Sequence, residues 1–258
     1  MRCLFSCRSE QYSHSIPNNL YLEDMLRFFK TITACFALFL CTPAFSQEGQ
    51  MPFHIDCDTA HFHYSEYIDS MAFYEKRMGE KKHLNTSDER LTLAFYVALS
   101  HYPELHDKRI SLRLKSLVST MQAHPSPNFI IKRKNKRSYR IYVNDNPDLT
   151  GLNYEDLSFN GLVGWIGHEF AHLIDYSSMN NRELLGFIAA YVFDKREMRR
   201  TERRADKETI KHGLGFQLLD GVAFFDKSKK VSKRYRKRKK KNYLSEEEII
   251  ADIKRNCD

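Results

Sequence analysis

The sequence lacks the features that would mark a membrane-spanning or nucleotide-binding protein. Its longest apolar run, residues 31–41, is too short to cross a bilayer. None of its 10 glycines falls into a pattern that cradles a nucleotide phosphate, so we expect no nucleotide cofactor. Cysteine is also scarce, at 6 in 258 residues. The sequence is more informative in its histidines and carboxylates and near its two ends.

Residues 25–46 have the organisation of a secretory signal peptide: two basic residues, the short apolar run, then small residues that suit cleavage after Ser46. We therefore expect a periplasmic or secreted protein. Because such a signal begins a chain, Met25 is the expected start and residues 1–24 a non-native upstream extension. Lipid attachment at Cys35 is the alternative, although almost no hydrophobic segment precedes it.

Export would leave two cysteines in the mature chain, Cys57 and Cys257. An even number of cysteines in an oxidising compartment predicts a disulfide bridge between them. The alternative is two free thiols.

The apolar stretch 161–176 contains His168, Glu169 and His172 in the pattern H-E-x-x-H. Residues four apart share one face of a helix, so the two imidazoles can bind one metal ion. Glu169 lies beside that pair, where its carboxylate can take a proton from water. The alternative is a core helix whose two histidines are only hydrogen-bonded.

A catalytic zinc site needs a third protein ligand, and Glu202 is the candidate. It lies thirty residues after His172, and Asp206 follows it by one helical turn. Asp206 could then accept the outer N–H of a ligand histidine. The alternative is a solvated helix, because four arginines flank Glu202. Asp175 is a poorer ligand, since it lies about 10 Å along the helix from His168, and we expect it to form a hydrogen bond near the helix end.

The two motifs together, His168-Glu-Phe-Ala-His172 and Glu202-x-x-x-Asp206, resemble the gluzincin metallopeptidases, particularly compact soluble relatives of the HtpX and CAAX-prenyl-protease type. The resemblance covers residues 90–226 and rests on these motifs. It implies that His168, His172 and Glu202 bind Zn²⁺, that Glu169 is the general base, and that Asp206 supports the ligands. It also implies a peptide or protein substrate.

In gluzincin-like folds the strand nearest the metal pairs with an extended substrate. Residues 138–144, the last strand expected before the active helix, are the candidate for that role. A plain surface hairpin is an equal alternative. His212, Tyr142 and Tyr191 are open candidates for stabilising an oxyanion, and the sequence selects none of them.

The expected fold is α+β and zincin-like: mainly helical, with a small antiparallel sheet and the active helix packed against a second ligand helix. Alternating apolar residues predict strands at 110–115 and 138–143, and a short apolar run predicts one at 129–132. Helices are expected at 53–80, 87–101, from Ser158 or Asn160 through the motif, 183–212 and 244–256. His54, His61 and His63 are expected to be ordinary, partly exposed histidines.

Three glycines in the active helix, Gly161, Gly164 and Gly167, need a compensating contact. Each costs about 1 kcal/mol relative to alanine in a helix interior. We expect another backbone to approach there, either the sheet edge or the Glu202 helix.

Residues 227–241 contain eleven basic and no acidic residues, whereas the rest of the predicted mature chain has 26 basic and 30 acidic. The chain is therefore expected to comprise a metallopeptidase domain (47–226), an exposed, mobile basic insert (227–241) and a C-terminal helix (242–258). The insert could bind an anionic polymer, a membrane surface or nucleic acid, or could simply be solvated.

The sequence thus predicts an exported zinc metallopeptidase. The alternative is a catalytically silent zincin-like protein, or a polyanion-binding envelope protein that uses 227–241.

Overall fold

A four-stranded mixed sheet and a larger set of helices make up the part of the chain that the computed structural model describes, residues 61–148 and 150–257. The strands run β1-β2-β4-β3 across the sheet; β1–β2 and β2–β4 are parallel, and β3–β4 is antiparallel. The strands are β1 (Lys82–Asn85), β2 (Arg109–Leu114), β3 (Met121–Pro125) and β4 (Ser138–Val143). The helices are α1 (Tyr64–Tyr67), α2 (Met71–Met78), α3 (Glu89–Ser100), α4 (Phe159–Ser178), α5 (Asn181–Phe193), α6 (Lys195–Thr209), α7 (Gly215–Lys227), α8 (Lys233–Asn242) and α9 (Glu246–Cys257).

The predicted α+β class is confirmed, but the prediction of an antiparallel sheet is wrong. Strands β2 and β4 match the predicted positions, whereas the run predicted at 129–132 falls in a 3-10 turn, Pro127–Ile131. Proline at the start of that segment favours the turn, which buries Phe129. The real third strand is β3, whose sequence MQAHP lacks the β-branched residues that signal strands.

The position of β4 also overturns the substrate-strand prediction for 138–144. Strand β4 lies inside the sheet, paired on both sides, so it has no free edge for a peptide. The edge strands are β1 and β3, and β3 is the one that packs against α4.

Helix α4 is the central element and carries the H-E-x-x-H motif. The Oγ of Ser158 accepts the backbone N–H of Gly161 at 2.8 Å, which confirms Ser158 as the N-cap. All residues from 159 to 173 are buried, as its apolar sequence predicts, and the helix packs against α3, α6, α7 and β3. At its C-terminal end Arg137 donates to the carbonyl oxygens of Tyr176 and Met179 at 3.1 and 2.8 Å.

The glycines of α4 admit a neighbouring helix, as expected, but that helix is α7. A Cβ on Gly164 would lie 2.5 Å from the backbone nitrogen of Leu218 and closer still to the carbonyl of Gln217. The expected neighbours, the sheet edge and the Glu202 helix, do not make this contact. Only Gly167 faces a residue of the Glu202 helix, Thr209, and it also faces Leu214.

The single helix predicted at 183–212 is two helices, α5 and α6. The break lies at Asp194, whose side chain caps α6 by accepting the backbone N–H of Arg196 at 2.7 Å. After α6 a π-helical turn contains Gly213 at φ 77°, a left-handed conformation that glycine adopts without strain. This turn leads into α7, which packs against α4.

The basic run 227–241 is not the exposed, mobile insert that its composition predicted. Residues 233–242 form α8, and Tyr235, Lys239 and Asn242 are buried on its inner face. The C-terminal helix α9 is confirmed: Ser245 and Glu248 cap its start reciprocally, and it packs against α7.

Several predictions fall on residues outside the described ranges. These are the upstream extension 1–24, the signal segment 25–46, His54 and Cys57. The Cys57–Cys257 bridge and export therefore stay predictions. Within 61–148 and 150–257, no helix is both long and apolar enough to span a membrane.

Candidate metal centre

His168, His172 and Glu202 converge on one point from two helices, α4 and α6. The Nε2 atoms of the two histidines are 3.2 Å apart, and Oε2 of Glu202 lies 3.2 Å from His168 Nε2 and 3.7 Å from His172 Nε2. All three residues are at most 5 % exposed. They form a buried group that could hold a metal ion. The predicted alternative of Glu202 on a solvated helix face is therefore wrong.

The position of Glu202 is fixed by a second contact to its carboxylate. Tyr191, on α5, donates its hydroxyl to Oε1 of Glu202 and leaves Oε2 facing the histidines. Burial alone would raise the pKa of Glu202, but hydrogen bonds with His168 and His172 hold it well below its usual range. Tyr191, an open candidate for the oxyanion role, instead contacts Glu202.

Asp206 takes the predicted position behind His168. Its Oδ1 lies 2.8 Å from Nδ1 of His168, and its Oδ2 accepts the backbone N–H of Leu244 at 2.8 Å. Burial alone would lower the pKa of His168, but the hydrogen bonds to Asp206 and Glu202 raise it to about 10. Asp206 therefore orients the ring so that Nε2 points to Nε2 of His172 and Oε2 of Glu202.

Glu169 is buried beside the group, where the sequence predicted it. Burial raises the pKa of its carboxyl, while the charges of His168, His172 and Lys239 act in the opposite direction. A carboxyl whose pKa is raised holds a proton more readily than an exposed one, which is a property that a group acting as both base and acid needs.

Trp165 and Tyr243 pack their rings behind His168, a contact that the sequence did not predict. The rings of Trp165 and Tyr243 lie 5.7 and 5.4 Å from the imidazole of His168. The ammonium of Lys239 sits against both, 3.6 Å from the Trp165 ring centroid and 3.7 Å from that of Tyr243. Burial lowers the pKa of Lys239, and the nearby charges of Tyr235 and of the site carboxylates oppose that effect. One signal was present in the sequence: Tyr235, Lys239 and Tyr243 are spaced four apart, which marks one helix face.

The other residues considered as ligands or catalytic groups have other partners. Asp175 pairs with Arg204 at 2.7 Å, as expected of a hydrogen bonder near the end of α4. His212 stacks on Tyr102 with ring centroids 4.2 Å apart, and Tyr102 donates to the carbonyl of Gly167 at 2.8 Å. Tyr142 lies on β4, with its hydroxyl 3.3 Å from Nη1 of Arg140. His61 and His63 are exposed, as predicted.

Neither a protein-family model, nor a curated protein, nor a solved structure matches this chain.

Proposed function

We propose that this protein is a zinc-dependent peptidase, exported as residues 25–46 suggest, with Glu169 as its general base. The observation that carries the proposal is the convergence of two imidazole nitrogens and a carboxylate oxygen within 3.7 Å of one another, with a further buried carboxyl beside them. A gluzincin-type assignment accounts for all four residues and for Asp206.

The spacing of the ligand atoms suits zinc. Ligands at about 2.0–2.1 Å from a tetrahedral zinc ion are about 3.3 Å from one another. The three separations here, 3.2, 3.2 and 3.7 Å, bracket that value. Two histidines and one glutamate also form a ligand set that catalytic zinc sites use, in which a fourth position stays open.

The charge of the centre supports the same proposal. Glu169, Glu202 and Asp206 are three buried carboxyl groups, and Lys239 is the buried lysine beside them. Buried charges of one sign are unfavourable unless they are paired. With His168 neutral, as a metal ligand must be, a divalent cation together with the Lys239 ammonium would balance three carboxylates.

In the proposed reaction, zinc would supply Lewis-acid chemistry that polarises the scissile carbonyl and makes water more acidic. The carboxylate of Glu169 would accept a proton from the attacking water and then deliver it to the leaving amine. Asp206 would keep His168 in the tautomer that offers Nε2 to the metal. Tyr191 would keep Glu202 in place.

Strand β3 is the better candidate for binding an extended peptide. The backbone bonds Asn144 N to Thr120 O (2.9 Å) and Ser126 N to Ser138 O (2.8 Å) flank its ladder with β4. Along an antiparallel pair, every second residue bonds to the partner strand, and the residues between them face outward. Thr120 and Ser126 bond to the segment that contains β4, so the N–H and C=O of Ala123 point away from β4. The hydroxyl of Tyr176, four residues after His172, reaches the Ala123 carbonyl at 3.3 Å. The outer edge of β3 therefore lies beside the end of the motif helix.

The experiment is a peptidase assay on zinc-loaded protein, with casein and a peptide library as substrates. Cleavage that a chelator abolishes and that added zinc restores is expected. Glu169→Gln should keep zinc and lose at least about 10²-fold in rate, the usual contribution of a general base. Undiminished cleavage by Glu169→Gln contradicts the assigned role. Zinc binding without cleavage by the native protein would instead favour a metal-binding protein without turnover.

A further inference from the structure

The exposed side of α8 is a row of basic residues. Helical neighbours three and four positions apart lie on the same face, so the exposed residues line one side of the helix. All of them are basic: Lys233, Arg234, Lys237, Lys240 and Lys241. We refer to these five residues as the basic face.

The opposite side of α8 is anchored to the protein, so the basic face has a fixed shape. The hydroxyl of Tyr235 accepts the backbone N–H of Thr120 at 2.9 Å. Lys239 is held between the rings of Trp165 and Tyr243. Arg236 and Arg238 flank the anchored side and donate to the backbone carbonyls of Ser228 and Val118.

Three lysines of the basic face have no carboxylate partner in the part of the chain that the structure describes. These are Lys233, Lys237 and Lys241, for which residues 61–148 and 150–257 supply no ion pair, whereas Lys240 pairs with Asp226 at 3.1 Å. The three lysines are spaced four residues apart on the helix. Like charges at this spacing destabilise a helix. An anion bound along the row would relieve that repulsion.

We propose that the basic face binds a linear polyanion, a polymer that carries phosphate or sulfate groups at regular intervals. The row from Lys233 to Lys241 is about 12 Å long at 1.5 Å per residue, so it presents several charges along a line and not at one point. None of the exposed residues of α8 is apolar, so the helix offers no side chain for insertion into a bilayer, which favours a polymer over a membrane. This inference does not depend on the proposed peptidase activity.

Helix α8 packs close to the candidate metal centre. Lys239 touches Trp165, and the Trp165 ring lies 5.7 Å from the ring of His168. A polymer bound on the outer side of α8 would therefore be separated from His168 by α8 itself and the Trp165 ring.

The test is titration of the full chain with polyphosphate and, separately, with heparin, over a range of salt concentrations. The native protein is expected to bind both, with the logarithm of the affinity falling linearly with that of the salt concentration. The triple variant Lys233→Gln, Lys237→Gln, Lys241→Gln keeps residues of similar helix propensity. It should bind at least tenfold more weakly, with a salt slope reduced by about two to three.

A matched variant removes the same charge elsewhere: Lys76→Gln, Lys195→Gln, Lys254→Gln, on the exposed surfaces of α2, α6 and α9. It should bind within about twofold of the native protein if the basic face is the site. Equal losses in the two variants would overturn the proposal, because they would show an effect of net charge alone. Absence of polymer binding at low salt would also overturn it. So would a parallel titration with vesicles of anionic lipid in which the protein binds the vesicles and neither polymer.

Discussion

His168 and Leu244 are connected through a single carboxylate, that of Asp206. One oxygen lies 2.8 Å from Nδ1 of His168, and the other accepts the backbone N–H of Leu244 at 2.8 Å. Leu244, which precedes α9, is thus hydrogen-bonded to Asp206, the residue that orients His168. Asp206 is fully buried, so neither bond competes with water.

Asp206→Asn should weaken metal binding about 10- to 100-fold, the usual effect of losing an acidic partner behind a ligand histidine. The two donors face different oxygens of Asp206, and in asparagine an NH₂ group, which cannot accept, takes one of those two positions. Competition with a chromophoric chelator would measure the affinity. Asp175→Asn is the matched control, because Asp175 pairs with Arg204. An affinity loss in Asp175→Asn as large as in Asp206→Asn would restore Asp175 as a ligand candidate.

Metal binding should release protons and strengthen with pH. In the metal-free protein the pKa of His168 is raised to about 10, so the ring is protonated at pH 7, whereas a metal ligand must be neutral. Affinity should therefore rise up to about tenfold per pH unit and level off as the pH approaches that value. Calorimetry in two buffers of different ionisation enthalpy would count the protons. Binding at pH 7 with no proton released would show that His168 is neutral beforehand.

Gly164→Ala should destabilise the protein by about 1–3 kcal/mol or more, the cost of overpacking a core. The added methyl group would collide with the backbone of Gln217 and Leu218 on α7, which a side-chain rotation cannot relieve. Gly186→Ala is the control on α5, since a Cβ there has no neighbour within 4 Å. It should stabilise by about 0.5–1 kcal/mol through helix propensity. Urea unfolding measures both, and equal effects would contradict the close packing of α4 on α7.

The buried group of His168, His172, Glu202 and Asp206 could be predicted from the sequence because each half of it is local. His168 and His172 share a face of α4, and Glu202 and Asp206 share a face of α6, at the same spacing of four. Only the meeting of the two helices required an additional assumption. A catalytic zinc site built on two histidines of one helix needs a third protein ligand, which made that assumption reasonable.

The remainder of the site depends on contacts between distant segments, which no local pattern contains. Leu244 reaches Asp206 across 38 positions, and Tyr243 and Lys239 reach His168 and Trp165 from the same downstream region. The basic composition of 227–241 predicted exposure, yet Tyr235 and Lys239 turn one side of α8 inward. A lysine is buried there because two aromatic faces and nearby carboxylates replace its water.

The sheet order was unpredictable for the same reason. Strand β4 pairs in parallel with β2, although residues 115–137 separate the two strands in the chain. The segment predicted as a strand at 129–132 is a turn, and β3 forms at Met121–Pro125, where no strand was predicted. Alternation of apolar residues identifies a strand, but pairing partners are set by how strands and α4 share the core.

The most direct test of the account is elemental analysis of the purified protein and of its Glu202→Ala variant after equilibration with zinc and removal of the excess. The account predicts about one equivalent of zinc in the native protein and, with two histidines left, a large loss of retained metal in the variant. No bound metal in the native protein, or full retention in Glu202→Ala, would contradict the claim that His168, His172 and Glu202 form one metal site.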